Sequence, residues 1–265
     1  DWIRFNKAML RLDTNAKYAN IIEHNAYNAL LGAQFPDGFG WQYHSHMNGK
    51  RELTSPDACC SSSGAVSLEE VAQEVVKIEG NQVFFNVYSP VNVNLLLSGK
   101  KIRISQLANY PYHTNLKFVV NSGSNASFQL IFHVPDWAEQ YKLLVNGQVT
   151  VTDLRRGYIT LNRVWGKNDI VELQLPNKFY TRKAEQAYTP EGYYNDNEQE
   201  YIAIYKGPLL YATEVKDIFK EPNPPVLPKT FNVNADIAGD KVKGLSGNYV
   251  LKPYYLVNDR KKDTY

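Results

Sequence analysis

The 265 residues carry 29 Lys and Arg against 27 Asp and Glu, a formal net charge of +2, and are 43% apolar and 13% aromatic. The basic residues are scattered, which leaves no electrostatic footprint for nucleic acid, and no run approaches the roughly 20 apolar residues that cross a bilayer. The two cysteines are sequence neighbours, which excludes a disulfide framework and leaves them a local task.

The opening Asp1-Trp2-Ile3-Arg4 lacks the charged and apolar regions of a signal peptide, so the chain reads as soluble, with no compartment specified. Trp2, Ile3, Phe5, Ala8, Met9 and Leu12 recur at helical spacing, break at Asp13-Thr14-Asn15, and give way to Tyr18, Ile21, Ile22, Tyr27, Leu30 and Leu31. This pattern predicts an αα-hairpin with its C-terminal stop at Gly32. The Gly- and aromatic-rich run from Phe35 to His46 has no period and reads as a long loop. Long loops in compact domains are commonly functional, which directs attention to Phe35 through Gly64. Ser67 and Glu70 form a capping-box pattern ahead of Val71, Val75 and Ile78, predicting a third helix.

From Val83 the pattern changes to short β-branched and aromatic runs: Val83 to Tyr88, Val91 to Leu97, Leu116 to Val120 and Phe128 to His133. Asn146-Gly147 between Leu143-Leu144-Val145 and Val149-Thr150-Val151 predicts a type I′ hairpin. Further strands are expected at Tyr158 to Leu161, Ile170 to Leu175 and Ile202 to Tyr205. The Pro-rich stretch Glu221 to Pro228 is a connection, after which Phe231 to Ala235 and Tyr249 to Leu256 are expected to return as final strands. The expected fold is mainly β: a jelly-roll-like β-sandwich region over residues 83–265, preceded by a helical segment with the cysteine loop over residues 1–82. Three helices alone cannot enclose a core, so they are expected to pack on the sandwich, on another chain, or on a preceding segment of a longer protein.

The chemistry-bearing feature is Asp57-Ala58-Cys59-Cys60-Ser61-Ser62-Ser63-Gly64. Adjacent cysteines ahead of a helix can present two thiolates to a soft metal, or one activated thiolate as a nucleophile. From the residues alone, two buried free thiols or a strained vicinal disulfide remain open as the plainer readings. His44 and His46 are candidates for contact with a sugar or metal, and Glu52 and Asp57 are nearby acids. Phe39, Trp41 and Tyr43 could stack on a sugar ring or pack onto their scaffold. His24, His133, Trp137 and Trp165 read as structural, and Asn125-Ala126-Ser127 is a formal glycosylation sequon.

Several segments together resemble the β-L-arabinofuranosidase family of glycoside hydrolases, family 127 and its relatives. They are Trp2 to Leu12, Tyr27 to Gln34, Cys59-Cys60, Val134-Pro135-Asp136-Trp137-Ala138, Val145-Asn146-Gly147, Gly157-Tyr158 with Trp165, and Tyr205-Lys206-Gly207-Pro208-Leu209-Leu210-Tyr211-Ala212. The resemblance implies the C-terminal half of that architecture, the end of an (α/α)6 barrel followed by β-sandwich domains. It implies Cys59 as the retaining nucleophile, zinc bound by Cys59 and Cys60, and a carbohydrate substrate such as an arabinofuranoside or related plant glycan. The family's other zinc ligands, a glutamate and a cysteine, and its acid/base glutamate fall upstream of Asp1. The chain is therefore expected to be inactive alone, to complete its zinc site only with an N-terminal half or complementary chain, and to have neither nucleic-acid nor membrane partners. The alternative is a non-catalytic carbohydrate-binding or interdomain β-sandwich module.

Overall fold

A computed structural model describes residues 1–43, 45, 58–107, 109–183, 202–213, 227–228, 230–245 and 247–257. The chain divides into two units, Asp1–Ala26 with Val66–Asn177, and Tyr27–Ala65 with Lys178–Tyr265. The α-helices are α1 (Trp2–Leu12), α2 (Ala16–His24), α3 (Leu31–Ala33), α4 (Ala58–Val75) and α5 (Val233–Asp236), with a π-helix at Asn25–Leu30 between α2 and α3.

In the first unit the predicted hairpin is present, because each helix offers one apolar stripe and a polar start. Ile3 and Leu10 of α1 and Ala19 and Ile22 of α2 are buried. The side chain of Asn15 caps α2 by accepting the Lys17 N–H at 3.1 Å. Gly157, at φ 81°, lies against Ala16, where a Cβ would overlap the Ala16 methyl. Only glycine combines that backbone conformation with so close an approach.

The capping-box expectation is corrected. Ser67 lies in mid-helix, because α4 begins nine residues earlier at Ala58. The Ser- and Gly-rich first turns have weak helix propensity and no apolar stripe, so the start was hidden. Glu70 turns instead to Lys7, whose Nζ stands 2.5 Å from its carboxylate.

The strands of this unit are β1 (Lys77–Glu79), β2 (Gln82–Phe85), β3 (Val91–Leu97), β4 (Lys100–Leu107), β5 (Asn115–Ser122), β6 (Ala126–His133), β7 (Lys142–Val145), β8 (Gln148–Val149), β9 (Leu154–Arg155), β10 (Tyr158–Trp165) and β11 (Asp169–Gln174). They form two sheets of order β1-β2-β6-β10-β9 and β3-β4-β5-β11-β7-β8. All pairings are antiparallel except β2 with β6. The sheets meet through aromatic side chains: Phe118 of β5 lies 4.7 Å from Phe85 of β2 and 4.8 Å from Phe132 of β6, centroid to centroid. Burial alternates along β5, the period-two signature of a strand with one face on a core. Asn146 and Gly147 turn the β7-β8 hairpin at φ 52° and 79°, as predicted. Asn146 also donates to Asp169 at 2.7 Å and accepts the Ile170 N–H at 2.8 Å, tying the turn to β11.

The second unit contains one sheet built from β12 (Phe179–Lys183), β13 (Ile202–Lys206), β14 (Leu209–Thr213), β15 (Ile237–Ala238), β16 (Lys241–Gly244) and β17 (Gly247–Pro253), in the order β12-β13-β14-β17-β16-β15. Its core gathers Ile204, Val242 and Leu251, with Phe179, Phe231 and Tyr249 packed against them. Two expectations are corrected. Phe231 to Ala235 is not a strand, because Asn232 accepts the Asn234 N–H at 2.9 Å and starts the short helix α5. The strand expected to run to Leu256 stops at Pro253 and becomes a 3-10 turn at Tyr254–Leu256, and β17 joins this third sheet. No helix among the described residues is long and apolar enough to cross a membrane.

Candidate functional site

Cys59 and Cys60 occupy the first turn of α4, Cys59 exposed and Cys60 half-buried. Their sulfurs stand 3.7 Å apart, in contact but well beyond the disulfide bond length of about 2.05 Å. Two thiolates sharing a tetrahedral zinc at about 2.3 Å each are separated by about 3.8 Å. The pair thus fits two corners of such a site. Among the described residues no group of three or more His, Cys, Asp or Glu side chains gathers to hold a metal. His44, His46, Glu52 and Asp57 lie outside the described residues.

The neighbourhood of the pair is set by a compact turn. Gln34 bridges Trp41, the Phe35 N–H donates to the Gly40 carbonyl at 2.9 Å, and Gly38, at φ 78°, lets the chain reverse. What the sequence offered as an aperiodic loop therefore begins as a closed reversal from Phe35 to Gly40. Trp41 is buried at 7% exposure, its Nε1–H donating to the Leu30 carbonyl at 2.9 Å and its backbone N–H to Ser61 Oγ at 3.2 Å. The indole covers Gly64, where a Cβ would overlap the ring. Of the three loop aromatics, Trp41 packs onto its scaffold, whereas Phe39 and Tyr43 are 88% and 64% exposed.

The helix preceding that turn is anchored by Asn28. Its Nδ2 donates to the Pro208 carbonyl at 2.9 Å and its Oδ1 accepts the Leu210 N–H at 2.7 Å, so one side chain satisfies both sides of the β13-β14 turn. Gly32 is not the helix stop expected from the sequence, since α3 ends one residue later and Gln34 is its C-cap. Glycine is needed at position 32 because the Tyr254 ring occupies the space of a Cβ.

A second polar cluster, in the first unit, was not anticipated. Glu23 is buried, accepts the Tyr110 hydroxyl at 2.7 Å and the Trp137 Nε1–H at 3.3 Å, and burial pushes its carboxyl up to about 7. Its signal in the sequence was a lone carboxylate directly after the apolar pair Ile21-Ile22. His133 is buried within hydrogen-bond distance of Asn20 Oδ1, at 2.7 Å, and burial pushes it down to about 3. Trp165 is fully buried and donates to the Phe128 carbonyl at 3.0 Å.

Residues 82–177 match the family model of the middle domain of GH127 β-L-arabinofuranosidases. The matched region contains the motifs Val134 to Ala138, Val145 to Gly147 and Gly157-Tyr158, whereas Cys59-Cys60 lie outside it. The fold likeness extends further. A GH127 β-L-arabinofuranosidase from Geobacillus stearothermophilus T6 superposes with TM-score 0.68 at 22% identity, over 86% of this chain and 38% of its own. A second GH127 β-arabinofuranosidase gives TM-score 0.71 at 22% identity, over 96% of this chain and 45% of its own. A structure described as a glycoside hydrolase gives 0.70 at 20% identity, over 96% and 48%. The chain therefore spans less than half the length of these solved relatives. No curated protein sequence matches it.

Proposed function

We propose that this chain is the C-terminal portion of a retaining glycoside hydrolase acting on arabinofuranosides or related plant glycans, with Cys59 as nucleophile. The observation that carries the reading is the pair of contacting thiols at the start of α4, 3.7 Å apart, in a chain whose residues 82–177 match the GH127 middle-domain model. In the same reading the helices of residues 1–82 are the end of an (α/α)6 barrel, and the two-sheet region is jelly-roll-like.

Cys59 and Cys60 would hold zinc, which when bound keeps a thiol ionised near neutral pH. Cys59 Sγ attacks the anomeric carbon, forming the S–C bond as the bond from that carbon to the leaving oxygen breaks. A carboxylic acid from a complementary segment gives its proton to that oxygen. The resulting carboxylate then takes a proton from water, whose oxygen displaces the sulfur and returns the thiolate. The acid/base and the remaining metal ligands are assigned to that complementary segment, so the chain alone is inactive. In this reading the exposed rings of Phe39 and Tyr43 stack on a sugar face.

The test has two parts. The pure chain should release no nitrophenol from a nitrophenyl β-L-arabinofuranoside, and joining it to an N-terminal barrel segment should produce turnover that Cys59→Ala abolishes. Robust hydrolysis by the chain alone, or activity retained in the Cys59→Ala variant, overturns the reading. Sugar binding without turnover in the joined protein would point to a carbohydrate-binding module instead.

A further inference from the structure

We infer that Trp41 is a positioning residue for the cysteine pair, fixing the rotation of the first turns of α4 so that Cys59 is exposed and Cys60 half-buried. The inference deepens the catalytic reading given above and rests on it for its significance, though not for its geometry.

Gly64 follows Cys60 by four residues, so in a helix it lies one turn below Cys60 on the same face. The Trp41 indole fills the space over Gly64, and the Trp41 N–H reaches Ser61 Oγ at 3.2 Å. One residue thus grips two successive turns of α4 at two points. Two contacts on adjacent turns constrain the rotation of this end of the helix more tightly than one. The grip is itself anchored, because the indole N–H is held by the Leu30 carbonyl at 2.9 Å. The outcome is visible in exposure, with Cys59 at the surface and its neighbour Cys60 half-buried. A nucleophile must be accessible along one approach direction, and a displacement of about 1 Å is enough to lower a rate by about two orders of magnitude.

The experiment measures thiol orientation directly. The reduced full chain is treated with iodoacetamide, and modification of Cys59 and Cys60 is followed separately by peptide mass spectrometry. In the wild type Cys59 should react about ten-fold faster than Cys60, since accessibility limits the half-buried member. Gly64→Ala inserts a methyl where the ring sits, and Trp41→Ala removes the ring; each should bring the ratio to within about two-fold of unity. Trp41→Phe keeps an aromatic face on Gly64 and the backbone N–H, and should retain most of the ratio. That rescue separates positioning from bulk stability, which all three variants alter. Circular dichroism is recorded in parallel, and Gly64→Ala, which favours helix, carries the test if Trp41→Ala fails to fold. A wild-type ratio preserved in folded Gly64→Ala overturns the inference. So does an equal loss in Trp41→Phe and Trp41→Ala. Because no sugar is present, a failed ratio leaves the catalytic reading standing, while an active Cys59→Ala enzyme removes that reading and leaves the geometry intact.

Discussion

Glu23 and Tyr110 are joined by a hydrogen bond of 2.7 Å inside the first unit, with the Trp137 indole N–H on the other carboxylate oxygen. Two donors are not enough to offset burial, and the carboxyl titrates near 7 rather than at 4.5. In this pH window the native chain holds a proton that the unfolded chain has lost, so Glu23 makes stability fall as pH rises from about 4.5 to about 7. His133 acts in the opposite sense. Depressed from 6.5 to about 3, it makes stability rise as pH goes from about 3 to about 6.5, because there the unfolded chain is the one that binds the proton. Glu74, raised by burial, adds to the Glu23 slope. The wild-type profile is therefore a partial cancellation, and the informative quantity is a difference. The stability of wild type minus that of Glu23→Gln, from urea midpoints, should decline by about 3 kcal/mol across this window and be flat outside it. A difference that does not vary with pH would mean that Glu23 is ionised in the native state.

The bond from Lys7 to Glu70 predicts an asymmetry. Lys7 has 3% of its side chain exposed and Glu70 21%, so the two partners are unequally able to recover water. Glu70→Gln leaves a buried ammonium with weakened compensation and should cost about 2–3 kcal/mol, whereas Lys7→Met leaves a carboxylate that rehydrates and should cost about 1 kcal/mol. Thermal denaturation of the two variants decides the order, and the reverse order would place the charge burden on Glu70.

Asn28 offers the sharpest stability test in the second unit. Asn28→Ala removes at one stroke the acceptor of the Leu210 N–H and the donor to the Pro208 carbonyl, both in buried bonds. The loss should be about 2–4 kcal/mol, since each orphaned buried group costs about 1–3 kcal/mol. A change below about 0.5 kcal/mol in the unfolding of this unit would show that water satisfies the turn.

The sequence revealed elements whose signal is local. Asn146-Gly147 marked its hairpin because the turn demands positive φ at both positions, and the strand Val91–Leu97 was read with its observed bounds. The start of α4 was missed because Ala58 through Gly64 has no apolar period, and the residue that packs on it, Trp41, lies 23 residues before Gly64. Asn232 overrode the apolar pattern around Phe231 and Val233 by capping a helix instead. Within the candidate site the cysteines were legible as chemistry, since two thiols in succession have few alternative uses. Their unequal exposure was not, because it is set by a residue distant in sequence. Glu23 escaped notice because Tyr110 and Trp137, more than 80 residues away in sequence, make its burial tolerable.

Gly32 and Tyr254 supply the last prediction. In a helical segment glycine to alanine ordinarily stabilises by about 0.8–1 kcal/mol, so propensity alone would have Gly32→Ala raise the melting temperature. Here the added Cβ would overlap the Tyr254 ring, with Cδ1 at 2.9 Å, and an aromatic ring cannot yield as the tip of a flexible chain does. The overpacking term of about 1–3 kcal/mol should exceed the propensity gain, and the variant should be less stable. Tyr254→Ala removes the obstacle at the expense of a cavity, costing about 3–5 kcal/mol on its own by analogy with Phe→Ala. In the double variant the new methyl no longer meets the ring, so its loss should be smaller than the sum of the two singles by about 1–3 kcal/mol. Strict additivity in this cycle, measured by denaturant unfolding of the full chain, would mean that Tyr254 does not pack on Gly32 in solution.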